Sequence, residues 1–452
     1  MLRFYPSFSH ELKNFSEING SEAGILKSIM APVTKMYEEP FLKSMTGSMP
    51  HYHRFILDEP ESDMNYHLSG YGQFYQEALV KFNGESVERY AGVVSSSYAV
   101  SDVKYDTYSN ISKLGKTMPL KYINIFTPEQ QKRISELLPQ YSPEHLKEDQ
   151  VIGWVKCRSL VRPGEDIWIP RQQVFVGYNR HGGFSEPMIV PSFSTGTASH
   201  KTLKKALINA ITEYLQIDSF ILTWYTMRKA RRVEIDHPVI SDILQKAGLG
   251  PGGSYEVLPL LISMPDMDIP IYMAILLRKE ERMPYMVVGT QGDMDAGNGV
   301  MRGIMEAAAI LSMNTFMMSF DAEKFDFALN ESAFTDLDTN VYFYAAPRKI
   351  EEKRRIVKQL TGESIPLSSI PSMRGQSTDA ILESLIAQVK NVSEYAAFLD
   401  ITPPEIIDKG WSVVRVFIPE ICGMCLPGFP FKNHPRMQRF GGVLNAYPHP
   451  LP

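Results

Sequence analysis

Glu85 and Glu88 stand three residues apart in a stretch that reads as a helix over residues 73–90, so both carboxylates point the same way. Like charges this close repel unless water, an arginine or a cation separates them. Magnesium accepts carboxylate oxygens together with phosphate oxygens. The plainer alternative is a solvated acidic face, but the neighbours Leu79, Val80, Phe82, Val87 and Tyr90 are apolar or aromatic. Arg302 and Glu306 form an i, i+4 pair on another helical stretch, 297–320. An exposed pair of this kind adds little stability. Beside Met301, Ile304, Met305 and the alanines at 307–309 the pair reads as buried. A buried pair needs a further partner, and a nucleotide phosphate would serve the arginine.

The sequence closes on Pro448-His449-Pro450-Leu451-Pro452. Proline restricts φ and stiffens such a segment into an extended, polyproline-like conformation. A stiff segment loses little entropy on docking, which suits insertion into a cleft; a rigid end lying on the surface is the alternative.

These side chains must be carried by helices and strands that alternate throughout. Strand patterns fall at 151–160, 166–178, 258–263, 269–278, 340–345 and 411–418, with a strand-like apolar run at 92–100. Helical patterns fall at 22–38 (interrupted by Pro32), 73–90, 199–229 and 297–320, and at 377–391 behind a Ser377 cap. The mixture predicts an α/β or α+β fold. Three of the helices share a pattern: Ala78 precedes Glu85, Ala206 precedes Glu213 and Gly299 precedes Glu306, each by seven residues. Seven residues is nearly two turns, so the small residue and the glutamate share a face. The small residue lets the helix approach a neighbour, and the glutamate emerges at the edge of that contact. Ala and Glu are also simply good helix formers.

The 452 residues carry 44% hydrophobic and 21% charged side chains, ordinary values for a globular chain. A net charge of −5 argues against a dedicated nucleic-acid binder. Three cysteines are too few for a disulfide scaffold, and no signal sequence or long apolar span is visible, so a soluble cytoplasmic protein is expected. Gly115-Lys116-Thr117 lacks the first glycine of a phosphate loop, and the glycines at 248–253 follow a helix rather than a strand, so both read as turns. Cys422 and Cys425, with Cys157 or His434, have no recognisable zinc spacing. The basic cluster at 228–232 is expected to close the second glutamate helix.

Taken together, these motifs resemble the YcaO family of ATP-using enzymes from about residue 65 onward. The first family motif, S-x-x-x-E-x-x-E-R-Y, is similar to Lys81…Glu85-Ser86-Val87-Glu88-Arg89-Tyr90, with lysine in place of serine. The third-helix motif, A-L-x-R-A-x-x-E-A, is similar to the stretch from Gly299 through Arg302 and Glu306 to Ala307. The P-x-P-x-P terminus matches the branch that makes azoline rings in ribosomal peptides. The second helix departs from the family pattern: Glu213 and Asp218 match, whereas Lys205, Asn209, Gln216 and Ile217 replace expected polar ligands.

The resemblance implies a lead-in at 1–65 packed on one YcaO-type ATP-binding domain at 66–452. It implies ATP and Mg²⁺ as cofactors, with Glu85, Glu88, Glu213 and Glu306 holding the cations and Lys81 and Arg302 on the nucleotide. Pro448, His449, Pro450 and Pro452 would act beside the ring-forming amide, and removing the tail would spare the fold. It implies a cyclodehydratase whose partners are an E1-like, zinc-bearing peptide-binding protein, a flavin-dependent dehydrogenase and a precursor peptide. The lead-in is expected to be too short to hold a leader-binding module. A docking subunit without turnover is the alternative.

Overall fold

The computed structural model describes residues 40–56, 67–97, 103–176, 186–320 and 333–452, together with isolated residues at 13, 17, 19, 24, 25, 31, 32, 323 and 326. The architecture is mixed α/β with three sheets. The first is antiparallel and runs β1 (Ala31–Pro32), β2 (Lys43–Ser48), β3 (His67–Gly72). The second is ordered β11-β10-β9-β8-β12, from β8 (Ala230–Glu234), β9 (Tyr255–Leu261), β10 (Ile271–Arg278), β11 (Met286–Gly292) and β12 (Thr361–Pro366). Only its β8–β12 pairing is parallel. The third is ordered β4-β5-β13-β14-β7, with β6 also on β5, from β4 (Val103–Thr107), β5 (Val151–Ser159), β6 (Asp166–Pro170), β7 (Thr197–His200), β13 (Ala397–Asp400) and β14 (Ser412–Phe417).

Three long helices tie the sheets together: α1 (Tyr75–Val94), α2 (Leu203–Tyr225) and α3 (Ala296–Phe320). Helix α1 packs on β2 and β3 and reaches β7 and β14; α2 lies between β7 and β14 on one side and β10 and β11 on the other; α3 packs on β9, β10 and β11 and returns to β3. The helices and sheets therefore form a closed circuit of contacts.

Close approach makes the circuit tight. A Cβ on Gly70 of β3 would lie 2.1 Å from the Ala78 carbonyl oxygen, and one on Gly289 of β11 would lie 2.4 Å from the Ala307 nitrogen. Ala78 and Ala206 are fully buried. A Cβ on Gly299 would meet the Tyr272 ring at 2.9 Å. The small residues seven positions before each glutamate thus sit where the helix backbone approaches its neighbour.

Several local expectations are corrected. Residues 340–345 belong to a helix, α4 (Thr339–Ala345), all of whose residues are buried. A short aromatic run buried on every side carries no periodicity, so strand and helix cannot be told apart by pattern. Residues 92–94 are the last turn of α1, not a strand. The 166–178 strand stops at Pro170 and turns into a short helix, Arg171–Val174. The basic cluster does not close α2: the helix ends at Tyr225, Met227 takes a positive φ of 54°, and Ala230–Glu234 form β8. Ala31–Pro32 pair with β2 as a strand; most of the helix expected at 22–38 lies outside the described residues. Ser377 caps the helix Thr378–Val392, its side chain accepting from the Ala380 N–H. No helix among the described residues is long and apolar enough to cross a membrane.

Candidate active site

Helix α1 delivers Glu85 and Glu88, whose side chains are 27% and 18% exposed and line a recess rather than an outer surface. Glu85 accepts a hydrogen bond from the Ser69 N–H at 2.9 Å, and Arg89 lies 3.5 Å from Glu85 and 3.1 Å from Glu88. Helix α2 delivers Glu213, which accepts from the Gly196 N–H at 3.3 Å. Helix α3 delivers Glu306, steadied by the Thr290 backbone.

The four carboxylates resist ionisation. Burial pushes Glu306 up to about 8 and Glu213 up to about 7, and raises Glu85 and, more strongly, Glu88. Each also senses its neighbours: Glu213 raises Glu88 and Glu306, while Glu85 raises Glu88 and Glu213. The nearby cations Arg89 and Arg415 oppose this at Glu88 and Glu213 without cancelling it. Repelling carboxylates drawn from three separated helices form a site that a cation would relieve. Among the described residues, no three potential ligands already stand together as a cage for one ion. Magnesium does not need one, because it binds through one or two carboxylates, water and substrate phosphates.

Arg302 is 40% exposed and pairs at 3.6 Å with Asp293, just beyond β11. The pair read from the sequence as buried Arg302–Glu306 is therefore open on one side, with the Arg302 charge only lowering Glu306 from a distance. The Nε of Arg302 is buried and has no hydrogen-bond partner. Lys81 is engaged by Glu77 at 2.9 Å and lies 4.4 Å above the Tyr71 ring, with the charges of Glu306 and Arg302 both reaching it.

Tyr71 and Arg415 are the residues that sequence reasoning missed. Tyr71, on β3, has its phenol raised by burial first and then by Glu306, so it belongs to the same recess. Arg415, on β14, is buried among carbonyl partners, donating to the Thr195 oxygen at 2.7 Å and the Gln173 oxygen at 3.0 Å. An arginine inside the otherwise apolar run Val413–Phe417 was the one signal available for it.

The altered positions of α2 divide by face. Lys205 and Asn209 are exposed, and Ile217 is core. Gln216 accepts from the Gly292 N–H at 2.8 Å, so it fastens α2 to the end of β11. Asp218 is fully buried and bonded to Arg436 at 2.7 Å, which in turn meets Asp266 at 2.9 Å, a structural network away from the glutamates. Cys157, Cys422 and Cys425 are buried free thiols, with burial raising each further from ionisation.

The C-terminal segment is clamped. Asn340 of α4 donates to the carbonyls of His449 and Leu451, both at 2.7 Å; Tyr344 donates to the Pro448 carbonyl at 2.7 Å; and the Trp224 indole donates to the Tyr447 carbonyl at 3.3 Å. His449 is fully buried, with Nε2 on the Cys425 carbonyl at 3.0 Å. A ring held this way helps anchor the segment. Pro448, Pro450 and Leu451 are buried with it, and only Pro452 is exposed. Removing the segment would therefore empty packed space and carry a cost in stability.

No curated protein matches the sequence. Solved structures do. A heterocyclase in complex with substrate and cofactor matches at TM-score 0.68 and 15% identity, over 98% of this chain and 58% of its own, so the chain spans little more than half of that protein. YcaO from Methanopyrus kandleri, bound with AMPPCP and Mg²⁺, matches at TM-score 0.58 and 15% identity, over 92% of this chain and 91% of its own. The E. coli microcin synthetase McbBCD complex with pro-MccB17 bound matches at TM-score 0.59 and 13% identity, over 94% and 96%. At these identities the structures establish a shared fold. The family model described as YcaO cyclodehydratase, ATP- and Mg²⁺-binding, matches residues 69–422, and with that span the chain belongs to the YcaO cyclodehydratase family.

Proposed function

We propose that the chain is the ATP-dependent cyclodehydratase subunit of a peptide synthetase, converting Cys, Ser or Thr of a ribosomally made precursor into thiazoline or oxazoline rings. The observation that carries this reading is the set of four buried glutamates from three helices, linked by carboxylate repulsion through Glu88 and Glu213, beside an arginine with an unpartnered Nε. These residues fit a magnesium-bound nucleotide: Glu85, Glu88, Glu213 and Glu306 are the cation ligands, and Lys81 and Arg302 face the phosphates. Bound Mg²⁺ supplies neutralisation of phosphate charge. The chain's own part is to hold the γ-phosphate in line and keep bulk water out of the recess.

In the proposed reaction a substrate thiol or hydroxyl adds to the preceding backbone carbonyl. The former amide oxygen takes the phosphoryl group of ATP and leaves as phosphate, the nitrogen loses its proton, and a C=N bond closes the ring. The net loss is one water per ring. Pro448, His449 and Pro450 anchor the terminal segment so that Pro452 is presented to the reaction. Similarity to the McbBCD complex supports action with partner subunits; by family resemblance these are an E1-like zinc-bearing protein that binds the precursor and a flavin-dependent dehydrogenase. The wording of α2 and its approach are similar to the D protein of streptolysin S-type clusters, so a cytolysin or bacteriocin precursor is the proposed substrate class.

The test is to combine the chain, its E1-like partner, ATP and precursor and to follow peptide mass. Loss of one water per ring, dependent on ATP and partner, is expected. Intact assembly with no ATP turnover would instead establish a docking subunit, the reading that the changes at Lys205, Gln216 and Ile217 favour. Ring formation without the partner would overturn the partner requirement.

A further inference from the structure

A second concavity opens beside the carboxylate recess, enclosing about 520 Å³ together with its mouth. Its walls include Phe193, Tyr214, Phe417 and Phe431, with Tyr214 and Phe417 edge to face at 6.1 Å between centroids. Arg415 and Gln173 also line it, and each leaves one buried polar atom unpartnered: Arg415 Nε, a donor, and Gln173 Oε1, an acceptor. The two residues are adjacent, since Arg415 already donates to the Gln173 carbonyl at 3.0 Å. Unpartnered buried groups are rare and call for a partner. A neighbouring donor and acceptor between aromatic walls complement a backbone amide that carries an apolar side chain. The terminal torsion of glutamine is broad, so the Gln173 amide can turn toward such a group. Arg415 also joins this pocket to the first site, because Glu88 and Glu213 both act on its charge.

We propose that this pocket binds an apolar residue flanking the cyclising residue of the precursor, its side chain between the aromatic walls and its peptide group paired with Arg415 and Gln173. This rests on the cyclodehydratase reading and assigns that reading a flanking-residue preference. A polar or acidic flank would forfeit the aromatic contacts.

The experiment measures binding of two capped tripeptides, acetyl-Phe-Cys-Phe-amide and acetyl-Asp-Cys-Asp-amide, to the full chain by calorimetry. The Phe peptide should bind at least about tenfold tighter. Gly423 lines the pocket, and a Cβ there would sit 3.4 Å from the Tyr214 hydroxyl. Gly423→Leu should therefore fill the pocket and erase the preference. Gln173→Met, which keeps length and loses the acceptor, should weaken the Phe peptide about tenfold, and it decides the matter if Gly423→Leu fails to fold. Equal affinity for the two peptides, no binding of either, or an undiminished preference in a folded variant would overturn the proposal. Mg²⁺–ATP affinity of the unsubstituted chain is measured in parallel. Its absence would sink the cyclodehydratase reading alone, whereas nucleotide binding without peptide preference would sink only this pocket.

Discussion

Glu306 is held up to about 8 because its helix carries it into a recess that already contains Glu213. Its ionised form is costly in the folded protein and cheap in the unfolded chain. The folded state therefore holds extra protons between about pH 4.5 and 8, and the stability this contributes is lost as pH rises through that window. Thermal unfolding of the metal-free protein should show a midpoint falling from pH 5 to pH 8, and Glu306→Gln should flatten that slope. The same variant, and Glu88→Gln, should lower ATP turnover about a hundredfold, the scale seen when one preorganised charge-stabilising group is removed. Phosphate-release assays check this; unchanged turnover in a folded variant would take that residue out of the site.

At the scale of elements, function depends on how closely helices approach strands. The Gly289 position leaves no room for a methyl group against the backbone of α3. Gly289→Ala should cost about 1–3 kcal/mol or more, the usual penalty of overpacking, and should weaken nucleotide binding by displacing Glu306. Denaturant unfolding together with nucleotide titration measures both, and an isoenergetic variant with native affinity would show that α3 is free to shift. The terminal segment behaves as another element, pinned by α4 and α2. Burial depresses His449 to about 4, so it folds neutral. Its contribution is complete above about pH 6.5 and is lost as pH falls toward 4, on the order of 3 kcal/mol. Replacing His449 with Asn should remove part of the acid-induced loss of stability. Asn340→Leu, which strips two carbonyls of their donor, should slow cyclisation with little change in ATP affinity.

For the whole molecule, the three sheets are closed by three helices, and long-range polar networks lock the closure. Asp218, Arg436 and Asp266 link α2 to the segment after β14 and to the turn before β10. Breaking one member leaves a buried charge alone, which costs about 3–5 kcal/mol. Asp218→Asn should therefore lower the unfolding midpoint by several degrees while nucleotide affinity, measured below the transition, stays near its original value. A selective loss of affinity with stability intact would instead tie Asp218 to the nucleotide.

The mixed α/β class was legible from the sequence, as were the helices that carry Glu85, Glu88, Glu213 and Glu306, because helical spacing is a local property. The family motifs at Glu85–Glu88 and Arg302–Glu306 were local too. What could not be read was which distant groups share the recess. Tyr71 and Arg415 come near it only because β3 and β14, remote in sequence, both pack against α1. The helix at Thr339–Ala345 escaped because a segment buried on all faces has no amphipathic signature. The stiffness of the last five residues followed from their prolines, but tertiary packing decided that His449 is fully buried on the Cys425 carbonyl, since that burial depends on chain segments remote from the terminus.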